Sequence, residues 1–425
     1  MTRRLAALLL LVPLSASARP LVFKAAHLYD GRADSLSSPG LVILDGDRVV
    51  GAGPRATVPA DADVIDLGDA TLMPGLMDAH SHLTFEFSED WKQDELDAFK
   101  KTIAEQALDA SVHARHTLEA GFTTVRDLGA SDFIDIGLRN AIRAGKVPGP
   151  RMLVAGKALS ARGGHCDPTA GYRAGLLREP DTTEGVLAGA DEGRNAVRWN
   201  AKHGVDVIKV CASGGVLSLA DKVDSAQLTQ AELDAIVDEA HALGRTAAAH
   251  AHGSVAARRA VKAGIDSIEH GTFLEDDVLQ LMQKKGTALV VTPVVCMAAK
   301  LKRSGAPEAV VQKGAAASAK QADLMARALK FGVTIAFGTD AAVCPHGAQW
   351  EQMVYMAAHG MKPLAILKSA TSVDARLLGV DDRLGTLEPG RTADVIAVRG
   401  DPTQDMSRMK DVVLVVKDGK VFKRP

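Results

Sequence analysis

Apolar residues recur along this chain in two different rhythms. Near both ends, short β patterns are punctuated by turn residues. At one end stand Leu21-Val22-Phe23, Leu41-Val42-Ile43-Leu44 ahead of Asp45-Gly46-Asp47, and Val64-Ile65-Asp66-Leu67. At the other stand Asp394-Val395-Ile396-Ala397-Val398, then Val412-Val413-Leu414-Val415-Val416 ahead of Lys417-Asp418-Gly419-Lys420. Turn residues between apolar runs mark antiparallel hairpins, so the two ends are expected to pair into one small β-sandwich. The middle behaves differently. Eight short apolar runs occur there, at residues 72–82, 122–128, 151–155, 205–211, 245–250, 265–270, 288–295 and 333–340. Helix-length stretches separate them, among them 93–120, 183–203, 229–243 and 310–331. Strand-then-helix repeated eight times predicts a parallel barrel, whose strands are covered on both faces and so read as continuous apolar runs. The expected fold class is therefore α/β: a (β/α)8 TIM-like barrel over residues 76–375, with a β-sandwich built from 19–75 and 376–425.

Composition narrows the field. With 425 residues, the chain has room for one large barrel plus a smaller module. A formal net charge of −2, with no dense Lys/Arg run, argues against a nucleic-acid partner. Residues 1–18 read as a signal peptide: Met1-Thr2-Arg3-Arg4 is basic, 5–14 is apolar, and Ala16-Ser17-Ala18 supplies small residues before Arg19. That run is too short to span a bilayer, which takes about 20 apolar residues, and no later segment is long and apolar enough. Export, periplasmic or secreted, without stable membrane insertion, is the expectation. Removing Arg3 and Arg4 leaves 48 basic against 52 acidic residues, a net charge of −4. Cys166, Cys211, Cys296 and Cys344 show neither CxxC pairing nor metal-finger spacing. They read mainly as buried or half-buried thiols, with a Cys166–Cys211 or Cys296–Cys344 bridge left open because these residues fall near strand ends.

The chemistry lies at the strand ends. In such barrels the C-terminal ends of the strands face the reaction site. Here those ends carry His80 and His82, Lys209, His250, His270 and Asp340, six metal-capable or titratable residues closing five apolar runs. Each would be costly to leave unpaired against a core. The two-residue spacing of His80 and His82 places both imidazoles on one face of a strand, a frequent start of a metal site. Taken singly, each has a plain structural alternative; Asp340 could cap a helix, for instance. Taken in order at successive strand ends, they predict a metal centre. Lys209 needs its own account, because an ammonium would repel divalent ions. A desolvated Lys can lose its proton, and the neutral amine can then add carbon dioxide, becoming a carbamate able to bridge two metals. Two ions bring about +4, while Asp340, a carbamate and a hydroxide bring about −3, leaving a site suited to an anionic intermediate.

At these residues the chain resembles the amidohydrolase superfamily, in its binuclear branch with a carboxylated lysine. The resemblance covers nearly all of the chain after residue 18. It includes Pro74-Gly75-Leu76-Met77-Asp78-Ala79-His80-Ser81-His82 and Gly385-Thr386-Leu387-Glu388-Pro389-Gly390-Arg391-Thr392-Ala393-Asp394. Gly163-Gly164-His165, the Lys209 strand, His250-Ala251-His252-Gly253 and Ser267-Ile268-Glu269-His270-Gly271 are similar to the imidazolonepropionase-like subgroup. That subgroup includes Xaa-Pro and Xaa-Arg/Lys dipeptidases and N-acyl amino acid hydrolases, among them enzymes that open the ochratoxin amide. The resemblance implies two divalent ions, zinc being well suited to His-rich sites. One ion takes His80, His82 and Asp340, the other His250 and His270, and carboxylated Lys209 bridges them. It implies a water activated by the two ions, with Asp340 moving its proton to the leaving amine and His165 donating to the substrate carbonyl. His252 and His165 then become substrate-binding candidates, as do Tyr172 and Arg173 on the loop after the third strand. In Xaa-Pro-cleaving relatives the position of His252 resembles a Tyr that holds the substrate carboxylate; the His here puts a proline preference in doubt. The expected function is release of a C-terminal amino acid from a dipeptide or N-acyl amino acid. A cyclic amide hydrolase or deaminase is the runner-up, against which Lys209 counts; a ligand-binding protein without catalysis would be expected to lose ligands, and all six are present. The partner is a small molecule or dipeptide, and helices such as 93–120 suggest a homo-oligomer.

Overall fold

The computed structural model describes residues 19–425; the expected signal peptide, residues 1–18, lies outside the described residues. Two sheets form the sandwich. One is built from N-terminal chain alone, in the order Arg48–Ala52, Gly40–Asp45, Leu21–Ala25, Asp63–Asp66. The other interleaves both ends of the chain: Lys420–Lys423, Val412–Lys417, Val395–Arg399, Ala70–Pro74, His27–Leu28. Its central pair is antiparallel, Val395 opposite Pro74 and Arg399 opposite Ala70. Phe23, Val42, Leu44, Leu72, Val395, Leu414 and Val416 pack between the sheets. The chain ends thus meet because each supplies half of one apolar layer.

All eight barrel strands are present and parallel: β1 (Leu76–Ser81), β2 (Phe122–Asp127), β3 (Arg151–Val154), β4 (Val207–Cys211), β5 (Thr246–Gly253), β6 (Ser267–Phe273), β7 (Ala288–Val291) and β8 (Ile335–Phe337). Strands β1–β3 form one ladder and β4–β8 another. Two further contacts close the ring. The Asp206 amide donates to the Val154 carbonyl at 2.8 Å, joining β3 to β4. At the other seam, the His80 carbonyl accepts from the amides of Thr339 (3.1 Å) and Asp340 (2.7 Å), which joins the last strand to the first.

Three expected elements differ. The run 72–82 divides at Gly75 into a sandwich strand and β1. A Cβ at Gly75 would lie 2.1 Å from Thr123 Oγ1, so the chain crosses between the two domains where only glycine fits. The stretch 93–120 is two helices, α1 (Trp91–Lys100) and α2 (Ile103–Glu119). They part at Lys101-Thr102, where Thr102 and Glu105 form a capping box that starts a new helix. The stretch 183–203 is helical only over Ala190–His203; Gly185 and Gly189, at φ +88° and +118°, hold the preceding segment in a conformation no helix allows.

The thiol reading of the cysteines is corrected. Cys166 is bonded to Cys211 and Cys296 to Cys344. The pairs are 45 and 48 residues apart in sequence, but the barrel brings their Cα atoms to 6.1 and 5.7 Å, within bridging range. Closing loops of that size stabilises the fold by up to about 4 kcal/mol each in the chain-entropy account. Peptide mapping without reductant is expected to recover both linked pairs. A Cys296→Ser/Cys344→Ser variant is expected to melt several degrees below the parent; an unchanged melting temperature would show that this bridge adds no stability.

Candidate active site

Each strand end delivers its polar residue to one place above the barrel. His80 lies in β1 and His82 directly after it, Lys209 in β4, His250 in β5, His270 in β6, and Asp340 in the turn after β8. Asp340 Oδ1 lies 3.4 Å from both His80 Nε2 and His82 Nε2. Lys209 Nζ lies 3.4 Å from His80 Nε2. The rings of His80 and His270 are 5.0 Å apart, and those of His250 and His270 4.6 Å. Two overlapping groups result, His80/His270/Asp340 and His250/His252/His270, within each of which the ligand atoms lie inside 4.8 Å of one another. His270 belongs to both. The structure thus brings all six expected ligands together and adds His252, placed above among the substrate-binding residues.

Backbone strain accompanies this convergence. His270 and Asp340 adopt φ values of +70° and +57°, a left-handed conformation that side chains other than glycine, Asn and Asp rarely take. It persists because the surroundings over-determine it. The Asp78 carboxyl accepts from the Thr339 hydroxyl at 2.5 Å and from the amides of Thr339 and His80, each at 3.1 Å. One buried side chain therefore holds the Asp340 turn and the His80 backbone in register.

Burial sets the protonation states. It pulls His80 down to about 4, with the Lys209 charge adding to the effect, and His252 down to about 3. His250 and His270 fall well below the usual range for the same reason. These imidazoles are neutral at pH 7, as ligands must be. Burial also lowers Lys209 to about 8, which brings the neutral amine within reach. Asp340 behaves oppositely: burial would raise it, but His80, His82 and Lys209 hold it well below the ordinary carboxylate range.

A supporting layer lies beneath, and it was not assigned from sequence. Glu269 Oε2 accepts from His80 Nδ1 at 2.8 Å, which leaves the Nε2 lone pair facing the cluster. Glu269 Oε1 accepts from Arg126 at 2.8 Å and from the Ser267 hydroxyl at 2.5 Å. Arg126 and Glu269 are 1% and 0% exposed, so each charge is matched by the other rather than by water. The available signal was a charged residue inside an apolar run, Arg126 in β2 and Glu269 in β6. Neutral imidazoles and a carboxylate, oriented by a buried carboxylate behind them, make a donor set suited to divalent cations.

His165 follows the short strand Leu159–Ala161 and stacks on His250, with ring centroids 4.5 Å apart. Its Nδ1 is buried without a partner, and burial lowers its pKa to about 4. The Cys166–Cys211 bridge ties this loop to the end of β4. Gly215 lies flat beneath the ring, where a Cβ would stand 2.1 Å from the imidazole. His252 Nδ1 is 2.8 Å from the Thr272 hydroxyl, which also accepts from Gln321 Nε2 at 3.2 Å; this fixes its ring between His250 and His270. Tyr172 is 43% exposed and its ring meets Phe99 of α1, and Arg173 is exposed.

The model of the amidohydrolase family matches residues 71–422. Ochratoxinase of Aspergillus niger is 32% identical over 433 residues, spanning 96% of this chain and 88% of that protein. A crystal structure of a Xaa-Pro dipeptidase with methionine bound in its active site superposes with a TM-score of 0.90 at 39% identity, covering 95% of this chain and all of that one. Imidazolonepropionase of Cutibacterium acnes is 27% identical, with 84% of this chain and 83% of that protein covered. The chain belongs to the amidohydrolase family and is a hydrolase acting on amide bonds.

Proposed function

We propose that this protein is a binuclear metal-dependent hydrolase that releases the C-terminal amino acid from a dipeptide or an N-acyl amino acid. The observation that carries the proposal is Lys209, a buried amine 3.4 Å from His80 Nε2 among two overlapping groups made of neutral imidazoles and one carboxylate. His80, His82 and Asp340 would hold one ion, and His250 and His270 the other, with His252 beside them. Two zinc ions, when bound, supply Lewis acidity and a water acidic enough to be deprotonated near pH 7. Lys209, which burial lowers to about 8, gives up its ammonium proton more readily than a surface lysine; the neutral amine then forms an N–C bond to carbon dioxide and loses a second proton to solvent, which replaces a repelling cation with an anion carrying two ligand oxygens. Asp340, held ionised by its neighbours, takes a proton from the attacking water and returns it to the nitrogen of the breaking amide. His165 stands at the edge of the cluster, stacked on His250, and its imidazole N–H donates to the carbonyl oxygen as negative charge develops there. His252, fixed by Thr272, offers Nε2 to the substrate.

The named relatives support the substrate class. This chain shares 39% and 32% of aligned positions with the Xaa-Pro dipeptidase and ochratoxinase. Two disulfides support folding in an oxidising compartment, in line with export.

Hydrolysis of a panel of Xaa-Pro, Xaa-Arg, Xaa-Lys and Xaa-Phe dipeptides, N-acyl amino acids and ochratoxin A tests the assignment. Turnover of at least one class is expected, falling by a factor of about 100 or more in Asp340→Asn. Turnover confined to cyclic amides or amines would contradict it and favour the imidazolonepropionase-like alternative. Replacing Glu269 with Gln should weaken metal binding by about 10–100-fold, because the carboxylate behind His80 orients that ligand and raises its basicity, and should lower the melting temperature as well, because the buried Arg126 charge loses its partner. Competition with a chelator reads this directly, and an unchanged affinity would show Glu269 to be structural only.

A further inference from the structure

The His165 ring is set by what it packs on. Its Nδ1 is buried without a hydrogen-bond partner, so that nitrogen does not fix the orientation. His250 stacks on the ring, and Gly215 meets it closely: an added Cβ would stand 2.1 Å from Cε1, 2.3 Å from Nε2 and 2.4 Å from Nδ1. The Cys166–Cys211 bridge anchors the next residue to β4 but leaves the ring free to turn about its own bonds; the Gly215 shelf removes that freedom. Behind the ring runs a chain of polar contacts. The His165 amide donates to Gln227 Oε1 at 2.8 Å, and Gln227 Nε2 donates to Asp221 Oδ2 at 2.9 Å. Asp221 Oδ1 accepts from Lys313 Nζ at 3.1 Å. Lys313 belongs to the long helix Glu308–Phe331. Its ammonium also donates to the carbonyls of Ser218 at 2.8 Å and Gly215 at 3.3 Å. An ammonium has three protons, and all three find acceptors in residues 215–221.

We propose that Lys313 is a positioning residue for His165, acting through the Gly215 carbonyl on one side and the Asp221–Gln227 chain on the other. The proposal rests on the reading of His165 as donor to the substrate carbonyl. Residues 214–225 form neither helix nor strand, so side-chain hydrogen bonds must hold the shelf in place. Lys313 gathers both supports of the ring at one atom. The side chains of Lys313 and Asp221 are 17% and 7% exposed, so salt and water screen this pair less than a surface pair. Without the ammonium, two carbonyls and a carboxylate lose their common donor, and the shelf and the Gln227 tether loosen together. A displacement of about 1 Å at a catalytic group can cost on the order of 100-fold in rate. None of Gln227, Asp221 and Lys313 is among the six expected metal ligands, so the effect reaches the reaction through His165.

Two independent readings test this. Hydrogen exchange followed by mass spectrometry, on the peptide containing His165, reads the amide bonded to Gln227 whether or not the enzyme turns over. In Lys313→Met that amide is expected to exchange on the order of tenfold faster, while the barrel strands keep the parent rates. Steady-state kinetics use the panel substrate that the parent cleaves fastest. Lys313→Met should lower kcat about tenfold and leave KM within a factor of about two, since His165 acts as charge develops. Added to His165→Ala, it should lower kcat no further, a non-additivity that a purely structural lysine would not show. Gly215→Ala, which crowds the ring directly, should lower kcat at least as far. A variant that melts lower or binds less metal is replaced by Gln227→Met, which cuts the chain without stranding a charge and carries the same expectations. Parent-like exchange at His165, losses that multiply in the double variant, or a parent-like kcat in Lys313→Met or Gly215→Ala beside an impaired His165→Ala would overturn the proposal. A His165→Ala variant as active as the parent, or a parent that cleaves none of the panel, counts against the functional reading instead, and the exchange experiment then decides the positioning alone.

Discussion

Closure of the barrel between its first and last strands is the constraint on which the rest of the structure depends. The His80 carbonyl accepts both amides of the Thr339-Asp340 turn, so residues 260 positions apart in sequence become neighbours. The Asp78 carboxyl reinforces that seam from below by binding Thr339 and the His80 amide. With the ring closed, a ligand from β1 and a carboxylate from the end of β8 face each other at 3.4 Å. Left-handed backbone at His270 is the cost of aiming that side chain inward, about 1–3 kcal/mol, whereas Asp340, of a residue type that tolerates this conformation, is held in it by the hydrogen bonds of the seam.

A second constraint follows from the first. Bringing this many titratable groups together in a water-poor space would be destabilising if all were charged. The structure resolves this by layers. Deepest, Arg126 and Glu269 compensate each other. Above them, burial keeps His80, His250, His252 and His270 neutral. At the top, the ionised Asp340 shares its oxygen with His80 and His82. Lys209 is the group that fits this order only as a neutral amine or a modified one, and for that reason the metal reading centres on it.

Much of this was legible in the sequence, for identifiable reasons. Continuous apolar runs ending in a polar residue mark buried parallel strands that open onto a site, and residue type at the strand end is local information. What was less legible depends on three-dimensional proximity. The break at Gly75 reflects contact with Thr123, which is 48 residues away. The two disulfides join residues whose neighbourhood is created only by barrel closure. Glu269 stands beside His270 in the sequence, but its role rests on Arg126, a residue of a different strand. The meeting of Tyr172 with Phe99, 73 residues away, likewise exists only in three dimensions. The Thr102–Glu105 capping box, by contrast, is a local signal that divides the 93–120 stretch and could have been read directly.

The most direct test of the account is the number of metal ions bound and its dependence on Lys209. The protein is stripped with chelator, reloaded with zinc in ¹³C-labelled bicarbonate, and examined by elemental analysis and ¹³C NMR. The account predicts about two ions per chain together with a carbamate resonance, and loss of the resonance and of at least one ion in Lys209→Ala. A single ion per chain without a carbamate signal in the parent protein would contradict it.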